Sequence, residues 1–443
     1  MKHVRELRCL LPPAAKPYYK EPLLITKGSM QYLWDDKGKK YIDCFGGIVT
    51  VSVGHCHPKV NAALKEQLDK LWHTTSIYLS EPIFEYADKL TQTLPSHLKV
   101  CFFVNSGSEA NDLALSLARL HTGRFDLLAL RNGYHGLTQA VQGATSLGTW
   151  KSPLPSGFGI LKAICPDPYR GPWGGKNCRD SRTGIKRECN CCDGQCQACE
   201  KYLAEFKATL KYELPASGEA AGVLIESIQG VGGVVQFPRG FVKSAFEAVR
   251  CKGGVCISDE VQTGFGRLGT HFWGFQGHDA EPDIVTLAKG IANGFPMGAV
   301  VTTKKIAESH SRSLYMNTFG GNPMACTVAK SVLQVIQEEN LQKNCVEVGN
   351  YFMDQLNSIA SPTVGDIRGK GLMIGVELVN EDGEPLDAIR MDRIFEETKY
   401  RGVLFGKGGI EGNVMRIKPP MCFTKADAEA AVDALASALA AVH

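Results

Sequence analysis

The charged residues with the clearest chemical use stand at the ends of two apolar runs. Val255-Cys256-Ile257-Ser258 delivers Asp259, and Ile284-Val285-Thr286-Leu287-Ala288 delivers Lys289. Desolvation at a strand end lowers a lysine's pKa and frees its amine for imine formation. A carboxylate buried in such a place needs a cation beside it. Pyridoxal phosphate (PLP) uses both groups, because its aldehyde is held as an imine while an anion keeps its ring nitrogen protonated. Lys289 is therefore read as the Schiff-base lysine and Asp259 as the partner of the pyridinium nitrogen. A structural ion pair would account for these two residues alone, so the surrounding segments decide.

Ser106-Gly107-Ser108-Glu109-Ala110-Asn111 lies between a strand-like run ending at Val104 and a helical face formed by Ala110, Leu113, Ala114, Leu117, Ala118 and His121. Ser106, Gly107 and Ser108 let backbone N–H groups crowd round an anion at a helix N-terminus, the chemistry of a phosphate seat. A plain N-cap of serine and glutamate would use the same residues. Tyr134 and His135 follow the next strand at the same carboxyl edge, where an aromatic ring could stack on a pyridine face. Gly264-Phe265-Gly266-Arg267-Leu268-Gly269 matches the dinucleotide fingerprint and raises a dehydrogenase as a competitor. The segment behind it, Thr270 to Phe275, lacks a helical period, so a pyrophosphate would find no helix terminus there.

These residues need a scaffold that presents strand ends together. Val100 to Val104, Leu127 to Leu130, Gly222 to Ile225, Val255 to Ser258, Ile284 to Leu287 and Ala299 to Thr302 read as strands alternating with helices. That alternation predicts an α/β fold with a mostly parallel sheet in a large domain, followed by a smaller α+β domain. An earlier helical face is predicted through Val60, Ala63, Leu64, Leu68, Leu71 and Trp72. The expected division is a segment 1–70 packing on the small domain, a cofactor-binding domain 71–320 with a cysteine-rich insertion 176–200, and a small domain 321–443.

Composition excludes other classes. With 443 residues, 44% of them hydrophobic, the chain can bury a large core, and a formal net charge of +3 gives no footprint for nucleic acid. No run of 18 apolar residues is present, so no membrane span is expected. Met1 to Lys20 carries five basic residues, Lys2, Arg5, Arg8, Lys16 and Lys20, against Glu6 without an apolar stretch, which argues against a secretory signal and leaves a short organelle transit segment or a basic arm.

Taken together, Ser106 to Asn111, Asp259-Glu260-Val261-Gln262-Thr263-Gly264-Phe265-Gly266-Arg267, Ala288-Lys289-Gly290 and Thr318-Phe319-Gly320-Gly321-Asn322-Pro323 resemble the class III, fold type I, PLP-dependent aminotransferases. Gly47 to Pro58, Arg170 to Gly175 and Arg368 to Gly375 look most like the mitochondrial alanine:glyoxylate branch (type 2) of that class. The resemblance implies a transaminase moving the amino group of L-alanine, or of other small or omega-amino donors, to glyoxylate, with a mitochondrial address and otherwise a cytoplasmic one. It further implies that Gln262 contacts the cofactor's 3-oxygen, Glu226 supports the site, Tyr134 stacks on the ring and Arg416 grips the substrate carboxylate. A homodimer with shared active sites is implied as well, Thr318 reaching the phosphate of the other subunit. One departure is Glu226-Ser227-Ile228-Gln229-Gly230, where the class usually has proline second; with Gly232-Gly233 it resembles phospholyases acting on amines such as phosphoethanolamine, the second reading.

Six of sixteen cysteines, Cys178, Cys189, Cys191, Cys192, Cys196 and Cys199, fall in the insertion. Cys196-x-x-Cys199 behind Cys189-x-Cys191 has the spacing of a tetrahedral zinc site, but reduced thiols in a surface loop are the reading adopted, with no metal assigned.

Overall fold

The computed structural model describes residues 7–155, 157–191, 196–311 and 313–442. Its central sheet has seven strands in the spatial order Val100–Val104, Gly298–Thr302, Ile284–Leu287, Val255–Asp259, Gly222–Glu226, Leu127–Leu130 and Ile160–Ala163. Gly298–Thr302 runs antiparallel to both neighbours, and the remaining pairs are parallel. Every residue of Gly222–Glu226 and Val255–Asp259 is buried, as unbroken apolar runs require when helices cover both faces. Alternate side chains divide between those faces. Leu127 and Ala129 pack with helix Gly107–Thr122, whereas Leu128 and Leu130 pack with helices Ala198–Tyr212 and Phe241–Arg250. The expected α/β class, with a mostly parallel sheet, is the one observed.

Two local expectations change. Ile160–Ala163 is a strand that the sequence reading passed over, because Lys162 interrupts its apolar run. The Lys162 ammonium donates to Ala144 O at 2.6 Å, and burial pushes its pKa down to about 7. The early helix spans only Pro58–Leu68, and Leu71 and Trp72 lie beyond it and exposed. Lys70 and Leu71 N–H donate to Gln67 O and Trp72 Nε1 to Leu68 O, satisfying the last helix carbonyls, while Gln67 Nε2 holds the following turn through Leu71 O.

The segment Gly264 to Gly269 is a turn leading to a single 3-10 turn, Gly274–His278, so the dinucleotide fingerprint has no helix to serve it. Its function is structural. Arg267 Nη1 donates to Leu372 O and Pro419 O, tying the turn to the C-terminal part of the chain.

A second sheet joins Ile25–Ser29, Tyr32–Asp35 and Lys40–Asp43 to Val403–Leu404, and a third orders Val364–Lys370, Met373–Leu378, Val414–Ile417 and Gly406–Gly408. The N-terminal strands thus pair with chain from the C-terminal end. Of the N-terminal arm, Arg8, Lys16 and Lys20 are described, while Lys2, Arg5 and Glu6 lie outside the described residues. No helix among the described residues is long and apolar enough to cross a membrane.

A buried ion network holds the cysteine-rich insertion to the third sheet. Arg179 clasps both oxygens of Asp366 at 2.7 Å, Arg368 bridges Asp366 and Glu377, and Arg170 caps Glu377. Burial raises the Asp366 pKa, but Arg179 and Arg368 more than reverse this and hold it below 3.8. Asp366→Asn leaves two buried guanidinium groups short of an anion and should cost about 3–5 kcal/mol of stability in denaturant titration. The deficit against wild type should be full above the unfolded carboxylate pKa and shrink as pH falls through the lower folded value. An unchanged midpoint at neutral pH would show that the network contributes nothing.

Candidate active site

The carboxyl edge of the central sheet opens into a cavity of about 290 Å³ lined by Ser106, Gly107, Ser108, Tyr134, His135, Glu226, Asp259, Gln262 and Lys289. Nine of the eleven site residues read from the sequence therefore meet in one place. Thr318 does not line this cavity and is exposed. Arg416 is not in the lining either, but it is buried close enough for its charge to act on Lys289.

Lys289 follows strand Ile284–Leu287 and has φ +48°, a left-handed conformation that a side chain tolerates at a cost of about 1–3 kcal/mol. Such strain persists only where the surroundings impose it. Burial lowers the Lys289 pKa, Arg416 lowers it further, and Asp259 and Glu226 oppose both.

Asp259 ends the adjacent strand with its carboxylate buried. Asn111 Nδ2 donates to Oδ2 at 2.9 Å, His135 Nδ1 shares a hydrogen bond with the same oxygen at 2.8 Å, and Val261 N–H donates to Oδ1 at 3.1 Å. Asn111 also donates to His135 O at 2.8 Å, so one amide fixes both partners. This residue was absent from the predicted site, although it closes the Ser106 to Asn111 segment. Its place in the first turns of the helix was readable, but only the packing of helix on strand shows that it faces Asp259.

Ser106 is the N-cap of Gly107–Thr122, its Oγ accepting from Glu109 N–H while its carbonyl accepts from Ala110 N–H. The N-cap reading holds, and Gly107 and Ser108 N–H, with no acceptor among the described residues, remain available to a ligand. A Cβ on Gly107 would sit 3.1 Å from Val261 Cγ1, so glycine keeps the backbone open to a ligand. Ser108 Oγ accepts from Leu137 N–H.

Glu226 accepts from Tyr134 N–H at 3.0 Å and Gly230 N–H at 2.8 Å, and burial raises its pKa against the pull of His135. The Tyr134 ring meets Trp150 edge-on at 5.4 Å. Ser227, the departure from the class pattern, donates to Glu260 Oε1 at 2.6 Å. Glu260 also accepts from Ser258, Thr263 and the N–H groups of Gly274 and Phe275, so Ser227 completes a buried structural cluster outside the cavity lining.

Gln262 Oε1 accepts from Lys418 Nζ at 2.8 Å and from Arg416 Nη2 at 3.4 Å. Lys418 was also absent from the predicted site. Burial, reinforced by Arg416, drives its pKa well below 10.5. Asn105, Phe295, Pro296 and Met297 also line the cavity; none lies in a segment singled out in the sequence, and only the fold brings them here.

A cavity with a left-handed lysine of lowered pKa, a buried carboxylate held by two side-chain partners and an open helix N-terminus fits a phosphorylated aldehyde with a basic ring nitrogen. The comparisons agree. The aminotransferase class-III family matches residues 14–439. The human protein named alanine–glyoxylate aminotransferase 2, mitochondrial, is 52% identical over 434 residues, covering 97% of this chain and 84% of its own. Among solved structures, a Bacillus anthracis aminotransferase superposes with a TM-score of 0.87 at 30% identity, covering 100% of this chain and 99% of its own. A phospholyase from Arthrobacter in complex with phosphoethanolamine gives 0.88 at 31% identity, covering 99% of each chain. Sequence pattern, sheet topology and cavity chemistry converge with these matches: the chain belongs to the class-III aminotransferases.

Proposed function

We propose that this chain is a PLP-dependent transaminase moving the amino group of L-alanine, and of other small or omega-amino donors, to glyoxylate, with pyruvate and glycine as products. The observation that carries the substrate choice is Arg416. It is buried, makes no ion pair with a carboxylate among the described residues, and leaves Nε without a hydrogen-bond partner. Burial pulls its pKa down to about 10, with Tyr18 and Glu226 opposing. A buried, uncompensated guanidinium is a site for an anion, and its planar fork suits a carboxylate. Alanine and glyoxylate share a carboxylate beside the reacting carbon, and phosphoethanolamine has none. The name of the human relative points to the same pair.

PLP, when bound, supplies an electron sink for the donor's Cα–H bond. Ser106, Gly107 and Ser108 would hold its phosphate, Asp259, oriented by His135 and Asn111, would hold its ring nitrogen, Tyr134 would stack on its ring, and Gln262 would contact its 3-oxygen with Glu226 in support. Lys289 anchors it and then, as a neutral amine, takes the proton from the donor Cα. Arg416 orients donor and acceptor in turn.

The assembly we infer is a homodimer. Trp72, Ile77, Tyr78 and Leu79 are exposed, as are Leu314, Met316 and Phe319, and the rings of His73 and Phe319 meet at 5.7 Å, which brings the two apolar segments together there. Thr318 lies within the second segment and serves the phosphate of the other subunit's site. The relatives named mitochondrial support the same address for this chain.

Arg416→Ala should lower kcat/KM for both alanine and glyoxylate by about 10² or more, and Arg416→Lys should recover little. Because Arg416 also depresses the Lys289 pKa, the acidic limb of the pH–rate profile should move to higher pH in Arg416→Ala. Retention of more than about a third of kcat/KM would remove Arg416 as the carboxylate clamp. Phosphoethanolamine, incubated with the holoenzyme without a keto acid, should release no phosphate; release at a rate matching alanine consumption would favour the lyase.

A further inference from the structure

The insertion contains a feature the transaminase reading leaves unused. Cys178, Cys189, Cys191 and Cys196 bring their sulfur atoms within 4.8 Å of one another, although they come from separate points of an irregular loop. Cys178 and Cys189 are 3.3 Å apart, and Cys189 and Cys191 are 3.4 Å apart. Four sulfurs around zinc at about 2.3 Å form a tetrahedron with edges of about 3.8 Å, inside this range. Cys199, which the sequence spacing offered as a ligand, is not one of the four; it belongs to helix Ala198–Tyr212, packed against the apolar cluster there. Cys192 lies outside the described residues.

We propose that Cys178, Cys189, Cys191 and Cys196 form a structural zinc site that closes the insertion onto the large domain. The four soft ligands leave no open position, which marks a structural rather than a catalytic centre and selects zinc over magnesium or calcium. The loop also needs a staple, because between Cys178 and Cys191 it forms no helix or strand, yet it carries Arg179, Arg182, Thr183 and Lys186 onto the chain around Val364–Lys370 and helix Leu341–Asn357.

Cys189 is disulfide-bonded in the structure, so loading follows reduction. A trialkylphosphine with water supplies two electrons and two protons, giving two thiols and the phosphine oxide. Binding Zn²⁺ then releases the thiol protons without changing the metal's oxidation state.

The test uses the full-length holoenzyme, reduced with a phosphine, loaded with zinc and desalted. Elemental analysis should find about one zinc per chain, and cobalt loading should give the strong visible absorption and thiolate charge transfer of a tetrahedral tetrathiolate. Cys178→Ser and Cys191→Ser should each retain less than about a tenth of that metal, whereas Cys199→Ser should retain it all. The wild-type cobalt spectrum stands even if a serine variant fails to fold. Reduced wild type that holds no zinc, a weak octahedral cobalt spectrum, or loss of metal in Cys199→Ser but not in Cys178→Ser would each overturn the assignment.

Discussion

Lys289→Ala is expected to reduce alanine-dependent transamination by about 10⁴-fold or more, because in the proposed mechanism the same amine anchors the cofactor and moves the proton. No other lysine lines the cavity. The buried neighbour Lys418 donates to Gln262 Oε1 and Gly230 O, so it is not free to substitute. Borohydride should no longer fix cofactor covalently to the chain; fixation at the wild-type level would assign the anchor to another residue. The backbone provides a control for folding. Lys289 sits at φ +48°, a region that alanine enters with strain and glycine without it, so Lys289→Gly should be more stable than Lys289→Ala by about 1 kcal/mol or more. Both variants should be equally inactive. Activity that followed stability instead would mean that the lysine's contribution is structural.

Asp259→Asn should lower kcat by about 10³-fold or more while part of the cofactor binding survives, since a neutral amide cannot keep the ring nitrogen protonated. A second effect follows from the hydrogen bonds. Oδ2 accepts from Asn111 Nδ2 and pairs with His135 Nδ1, so an amide nitrogen placed there faces Asn111's donor, and turning the amide the other way sets it against Val261 N–H. One buried group is left unpaired in either orientation, at a cost of about 1–3 kcal/mol in stability. Thermal denaturation of the cofactor-free protein reads that loss separately from kcat. A rate close to wild type would mean that the ring nitrogen has another partner.

The scaffold of this site was legible because the strands that deliver its residues are mostly apolar runs: a sheet covered on both faces leaves no alternating pattern to confuse, and Asp259 and Lys289 stand where such runs stop. Ser106, Gly107 and Ser108 were legible for a similar local reason, since a helix N-terminus must satisfy its own N–H groups and shows this in its residue types. Ile160–Ala163 was not, because Lys162 breaks its run and the carbonyl that accepts from it, Ala144 O, lies on a separate stretch of chain. Helix Pro58–Leu68 stops before Leu71 and Trp72, its last carbonyls taken by the backbone N–H groups of Lys70 and Leu71 and by the Trp72 side chain, while the apolar pattern continues onto a surface face.

Residue type and spacing along single elements were therefore sufficient to determine the fold class, six of the seven strands of the central sheet and nine of the residues that line the cavity. What only the tertiary structure decided are the contacts between elements distant in sequence. Asn111 faces Asp259 across helix and strand, Lys418 and Arg416 converge on Gln262, Ser227 is committed to Glu260, and Cys178 rather than Cys199 joins the sulfur cluster. Local propensity acts over a few residues. Which buried polar groups satisfy one another is settled only when packing removes water and leaves each of them a single partner within reach.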